Sequence, residues 1–150
     1  MYVQLTMGEL FGAACIGVRR QCQAVYRQAR TTYGSKPNEA WQCQIEGACG
    51  EMAVAKHIGR FWSGNLGDLD AADVGHLQVR TTSHDAGCLI VHPEDADDGV
   101  FILVTGLAPH FVLRGWMLGR DAKKDAFWKD GPRPAYFVPQ GLLLPIGELA

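Results

Sequence analysis

Nowhere does the chain carry a hydrophobic run approaching the length of a membrane span, and its N-terminus lacks a basic stretch followed by an apolar one. These absences predict a soluble, cytoplasmic protein with neither a transmembrane helix nor a signal peptide. There is no C-x-x-C pair, and the cysteines number five, an odd count. That pattern argues against a disulfide framework or a zinc site, and predicts five free, mostly buried thiols in a reducing compartment. The histidines, His57, His76, His84, His92 and His110, lack the H-x-x-x-H spacing of zinc ligands. A glycine-rich phosphate loop and a Cys/His nucleophile pair are missing too, which leaves a small-molecule enzyme of those kinds without support. The chain also has no repeat, low-complexity tract or interdomain linker.

What is present is enough for one ordinary core. With 150 residues and 47% hydrophobic content, a single domain spanning 1–150 is expected. The net charge of -2 conceals a segregation. Residues 1–45 hold five basic against two acidic groups, a balance of +3; residues 46–100 hold three against ten, -7; residues 101–150 hold six against four, +2. An acidic centre between basic flanks suits a metal-binding core with phosphate-gripping surfaces, and equally a set of solvated faces.

Thr6-Met-Gly-Glu9 has the form of a capping box, so a helix should begin near Met7. Met7, Leu10, Phe11, Ala14, Val18, Cys22, Val25 and Ala29 recur at helical steps and predict its core stripe. Arg19, Arg20, Gln23, Arg27 and Arg30 fall largely on the opposite side, either solvated or facing a phosphate backbone. Thr31 to Pro37 reads as a loop, and Pro37 or Asn38 suits the start of a second helix that runs to about Ile58 and stops at Gly59. Trp41, Ile45, Ala48, Met52 and Ala55 trace its buried side. Glu51 lies at the edge of that stripe and needs a partner: a metal, hydrogen-bond donors, or an arginine, with a buried pair to Arg80 the purely structural option. Glu46 falls outside the stripe and should be exposed.

Arg60 to Ala72 reads as a loop leading to a short strand that ends at Asp73, with Asp68 and Asp70 as turn formers. His84 to Gly99, with Pro93 and the acidic Glu94, Asp95, Asp97 and Asp98, reads as a solvated loop. Val100–Val104 is a central strand covered on both faces, Phe111–Leu118 its hairpin neighbour, and Ala135–Val138 a last short strand. Arg120–Trp128 reads as a short helix or ordered loop, and Leu142–Ile146 should close over the core.

The stretch around which the rest is arranged is Asp73-Val-Gly-His-Leu-Gln78-Val-Arg80-Thr-Thr82. As a strand, residues 77–82 send Leu77, Val79 and Thr81 to one face and Gln78, Arg80 and Thr82 to the other. A turn at Val74-Gly75 brings Asp73 back beside Gln78. These residues resemble the PD-(D/E)XK nuclease superfamily, in which an Asp on one strand, an acid-x-Lys pair on the next and a helix glutamate hold Mg2+ against a phosphate. Asp73 matches the aspartate and Glu51 the helix glutamate, while Gln78 replaces the second acid and Arg80 the lysine. Residues 50–82 also resemble segments of small phage and prophage proteins.

The resemblance implies a restriction-endonuclease-like α+β fold, with two N-terminal helices on a central mixed sheet of about four to five strands. It further implies a Mg2+- or Mn2+-dependent deoxyribonuclease acting in a bacterial host cell. Asp73, Glu51 and Gln78 would hold the metal, Arg80 would contact the phosphate, and Arg19, Arg20, Arg27, Arg30 and Arg114 would bind DNA, with a homodimer left open. Gln78 offers only a neutral oxygen to a cation, and Arg80 stays protonated and cannot serve as a base. The alternative is a catalytically inactive nucleic-acid-binding or regulatory module on the same scaffold.

Overall fold

The computed structural model describes residues 1–27, 39–64 and 72–149. Strand β1 (Tyr2–Gln4) leads into helix α1 (Met7–Tyr26), and helix α2 (Ala40–Ile58) follows. Then come β2 (Leu77–Thr82), β3 (Leu89–Val91), β4 (Val100–Leu107), β5 (His110–Leu118), the short helix α3 (Gly119–Ala122), β6 (Trp128–Lys129) and β7 (Ala135–Val138). The fold is mixed α+β, with the two N-terminal helices packed on a four-stranded mixed sheet in the order β1-β5-β4-β2. β2 runs parallel to β4, and the other neighbours are antiparallel. A second, three-stranded sheet, β3-β7-β6, lies on the other side of β4. No helix among the described residues is long and apolar enough to cross a membrane.

β4 explains the layering. Ile102 and Val104 face the helices with Leu77, Val79, Cys49, Ala53 and Val54, while Phe101 and Leu103 face the second sheet with Leu89, Val91 and Val138. A continuous apolar strand with period-two alternation thus serves two cores at once, as its composition requires.

The capping box forms as expected: Thr6 Oγ1 accepts from the Glu9 amide, and Glu9 Oε2 accepts from the Thr6 amide at 2.7 Å. Lys56 Nζ also reaches that carboxylate at 2.7 Å. Its hydrogen bond, with the Thr6 amide, holds Glu9 below the usual carboxylate range and fastens the start of α1 to the end of α2. α2 ends at Gly59 in the left-handed conformation, φ +66°.

The buried side of α1 differs from the expected stripe. Ala13, Gly17 and Gln21 are buried, whereas Met7, Phe11, Val18, Cys22 and Val25 are exposed. The reason is how closely the helices approach: a Cβ at Gly17 would stand 2.5 Å from the Ile45 Cα, so only small residues fit the crossing. The larger apolar side chains are left on the outside. Trp41 is likewise partly exposed, and Glu46 is half-buried, accepting from Gln42 at 2.7 Å.

Three further expectations change. Cys49 alone of the five unpaired thiols is buried, and Cys15, Cys22 and Cys43 are exposed. Burial, with Glu46 nearby, pushes the Cys49 thiol up to about 11. The 84–99 segment is structural rather than a solvated loop, because Leu89 and Val91 enter the second core. The hairpin strands run past residues 104 and 111, so the turn contracts to Ala108 and the cis Pro109. At the C-terminus, Ile146 joins the helix-side core and Leu144 bridges to Trp116, but Leu142 and Leu144 remain exposed. The 31–37 loop, Ala29, Arg30, Asp68 and Asp70 lie outside the described residues, as does most of the strand expected before Asp73.

Candidate functional site

The turn into β2 forms where glycine allows it. Gly75 has φ +65°, the Asp73 and Val74 amides donate to Leu77 O at 2.9 and 3.1 Å, and the Leu77 amide donates to Val74 O at 3.0 Å. β2 stands at one end of its sheet, and these bonds show that Leu77 directs its backbone groups away from β4. Two residues on, the Val79 amide points the same way and donates to Asp73 Oδ2 at 2.7 Å. Asp73 therefore clasps the outer edge of β2.

Glu51 reaches this edge from the helix layer. It is 5% exposed, one turn from the buried Ala48 and Ala55 on α2. Arg20 of α1 chelates it through two bonds, Nη1 to Oε1 at 2.6 Å and Nη2 to Oε2 at 2.8 Å. Trp62 Nε1 adds a third donor at 3.0 Å, and Arg20 Nη2 also donates to Gly64 O at 2.8 Å. Glu51 thus takes its arginine from α1, and the pair with Arg80 does not form.

Burial and the nearby Glu51 carboxylate push Asp73 up to about 6, against the opposing pull of the Val79 amide, Arg80 and Arg20. Burial works against the charge on Arg20, but the hydrogen bonds and attraction of Glu51, with Asp73 assisting, outweigh it and hold the guanidinium above its ordinary range. Two carboxylates and one guanidinium share this side of the strand.

Arg80 belongs to the opposite side. Its Nη2 donates to both oxygens of Asp95 at 3.0 Å and its Nε to Ile90 O at 3.3 Å, while the guanidinium lies 5.2 Å from the Phe101 ring centroid. Asp95 also accepts from the His92 amide at 2.8 Å. Arg80 still acts on Asp73 electrostatically, but its hydrogen bonds tie the strand to the second sheet. Strand alternation puts the half-buried Gln78 on the Arg80 face, away from Glu51. So Asp73 and Glu51 act on each other electrostatically, while Gln78 and Arg80 lie on the other face of β2.

The basic residues divide as well. Arg20 is turned inward; Arg19 and Arg27 are exposed. Arg114 donates through Nε to Thr105 Oγ1 at 2.6 Å and also pairs with Asp85. Lys123 pairs with Asp97 at 2.7 Å and donates to Pro93 O at 3.0 Å.

Arg20 as a partner of Glu51, and Trp62, were missed by the helical pattern. The signal was present in the small residues: Ala13 and Gly17 mark the line of closest helix approach, and Arg20 follows three positions after Gly17 on that side. For a divalent cation, Asp73 and Glu51 supply hard anionic oxygens of the required kind, and their mutual repulsion makes the place favourable to added positive charge. Among the described residues no three His, Cys, Asp or Glu side chains group together as a ligand set. Two carboxylates still fit Mg2+, which keeps several waters and takes further oxygens from substrate phosphates. Comparison of the chain with known protein families, curated proteins and solved structures returns no match.

Proposed function

We propose that the chain is a Mg2+- or Mn2+-dependent deoxyribonuclease whose metal is held by Asp73 and Glu51 at the outer edge of β2. The observation that carries this reading is the buried Asp73 carboxyl, pushed up to about 6 by burial and by repulsion from the Glu51 carboxylate. The metal, when bound, would supply an activated water and neutralise charge developing on the phosphate. The chain's own groups set the stage. The Val79 amide and the Gly75 turn fix Asp73, and Arg20 and Trp62 fix Glu51. Arg20 is the cation bonded to Glu51, and both Arg80, held by Asp95, and Arg20 act on Asp73 through their fields. Gln78, on the far face, is at most an auxiliary oxygen ligand. Exposed Arg19 and Arg27 offer charge for the DNA backbone.

A second reading, a catalytically inactive nucleic-acid-binding or regulatory module, is favoured by one specific observation. Both ion pairs, Arg20–Glu51 and Arg80–Asp95, are complete without a metal. Nicking of supercoiled plasmid and cleavage of single-stranded DNA in Mg2+ or Mn2+ separate the two. The nuclease reading expects metal-dependent cleavage that Asp73→Asn abolishes. Folded protein that cleaves neither substrate, yet retains DNA with a steep salt dependence, would instead establish the binding module.

A further inference from the structure

Among the described residues, α1 is apolar on two sides and only one of them is covered. The inner side, Ala13, Gly17 and Gln21, packs on α2. On the outside Met7 is 81% exposed, Phe11 68%, Val18 40% and Val25 56%, and Cys15 and Cys22 are exposed with them. Phe11, Cys15, Val18, Cys22 and Val25 follow one another at steps of four, three, four and three. That is the 3.5-residue repeat of a seam between two supercoiled helices, whereas a face meant for water has no reason to keep it.

From this we infer that the outer face of α1 is a homodimer seam, occupied by the same helix of a second copy running antiparallel. Three features select this occupant. The seam is self-complementary: a two-fold axis at Val18 brings Phe11 level with Val25 of the other copy and Cys15 within one position of Cys22, as an isologous contact requires. None of its side chains is charged, so it offers nothing to a phosphate backbone or an acidic partner; Arg19 lies beside it rather than in it. Its size also fits. A strip of this kind is on the order of the largest apolar patch a monomer shows, roughly 300–600 Å2, which is often functional. Two such strips with their rims approach the ~1,000 Å2 from which specific interfaces begin.

Sedimentation equilibrium of the full chain from about 1 to about 100 μM tests the inference, since a seam of this size should associate within that range. The expected result is a dimer that Val18→Glu weakens at least about tenfold, with an unchanged circular dichroism spectrum. A second measurement uses the unmutated seam. In a background where Cys43, Cys49 and Cys88 are serine, copper-phenanthroline oxidation should join Cys15 of one copy to Cys22 of the other. Two thiols form one disulfide, passing two electrons to the oxidant and two protons to solvent. Replacing either remaining cysteine by serine should remove most of the covalent dimer. A protein that stays monomeric throughout, or a dimer that neither Val18→Glu nor the loss of Cys15 or Cys22 affects, would overturn it.

Discussion

On the helix side of β2 one guanidinium, Arg20, faces two carboxylates, Glu51 and Asp73; on the far side Arg80 faces one, Asp95. Both arrangements are partly buried, but Arg20–Glu51 ties α1 to α2, whereas Arg80–Asp95 ties β2 to the second sheet. The far-side pair is balanced, and its arginine also lies over Phe101 and reaches Ile90 O, so it works as a clasp between sheets. The helix-side cluster has an excess of negative charge, which falls on Asp73. The two ion pairs also differ in geometry, since Arg20 meets each Glu51 oxygen with its own nitrogen while Arg80 Nη2 alone reaches both oxygens of Asp95. The proposed cation is assigned to the helix-side one, where Glu51 acts on Asp73.

The largest predicted effect comes from Arg20→Met. It leaves Glu51 buried with Trp62 as its remaining side-chain donor and Asp73 repelling it, so stability in urea should fall by about 3–5 kcal/mol. Arg80→Met should cost less, about 2 kcal/mol, because Asp95 keeps the His92 amide and is less deeply enclosed. Equal losses in the two variants would erase the distinction between cluster and clasp.

The smallest effect is the most specific. Asp73 is raised to about 6 in the folded chain, so its contribution to stability is complete below the ordinary carboxylate range near 4 and is lost as pH rises through 6. In metal-free buffer, wild-type stability should decline over that interval by about 1–2 kcal/mol, discounting a two-unit shift for partial solvent screening. Asp73→Asn should flatten this part of the profile, because asparagine can still accept from the Val79 amide without taking up a charge. Urea midpoints measured at intervals of one pH unit would show whether the slope belongs to this residue.

Much of the fold was legible because local rules and tertiary packing agree. The Thr6–Glu9 box, the Gly59 stop, the Gly75 turn and the apolar run of β4 each have one good solution, and each adopts it. α1 was misread because its hydrophobic periodicity marks two faces, and side-chain size, not hydrophobicity, decides which one meets α2. The small residues Ala13 and Gly17 permit the close crossing, and that crossing carries Arg20 inward. β3 and Asp95 were misread because the acidic residues around them suggest solvent, while Arg80, fifteen positions away, makes Asp95 a buried partner. Of the candidate site, the turn, Asp73 and the buried Glu51 could be read from spacing. The separation of Gln78 and Arg80 from Glu51 could not be, because it depends on which face of β2 the helices cover.

Thermal unfolding with and without millimolar Mg2+ or Mn2+ at pH 7, for the wild type and for Asp73→Asn, addresses the helix-side cluster most directly. The account predicts that either cation raises the wild-type melting temperature, since a ligand that binds only the folded chain stabilises it, and that Asp73→Asn removes most of the rise. Identical wild-type melting curves in chelator and in saturating Mn2+ would contradict it. The two carboxylates would then be a structural cluster that takes no metal.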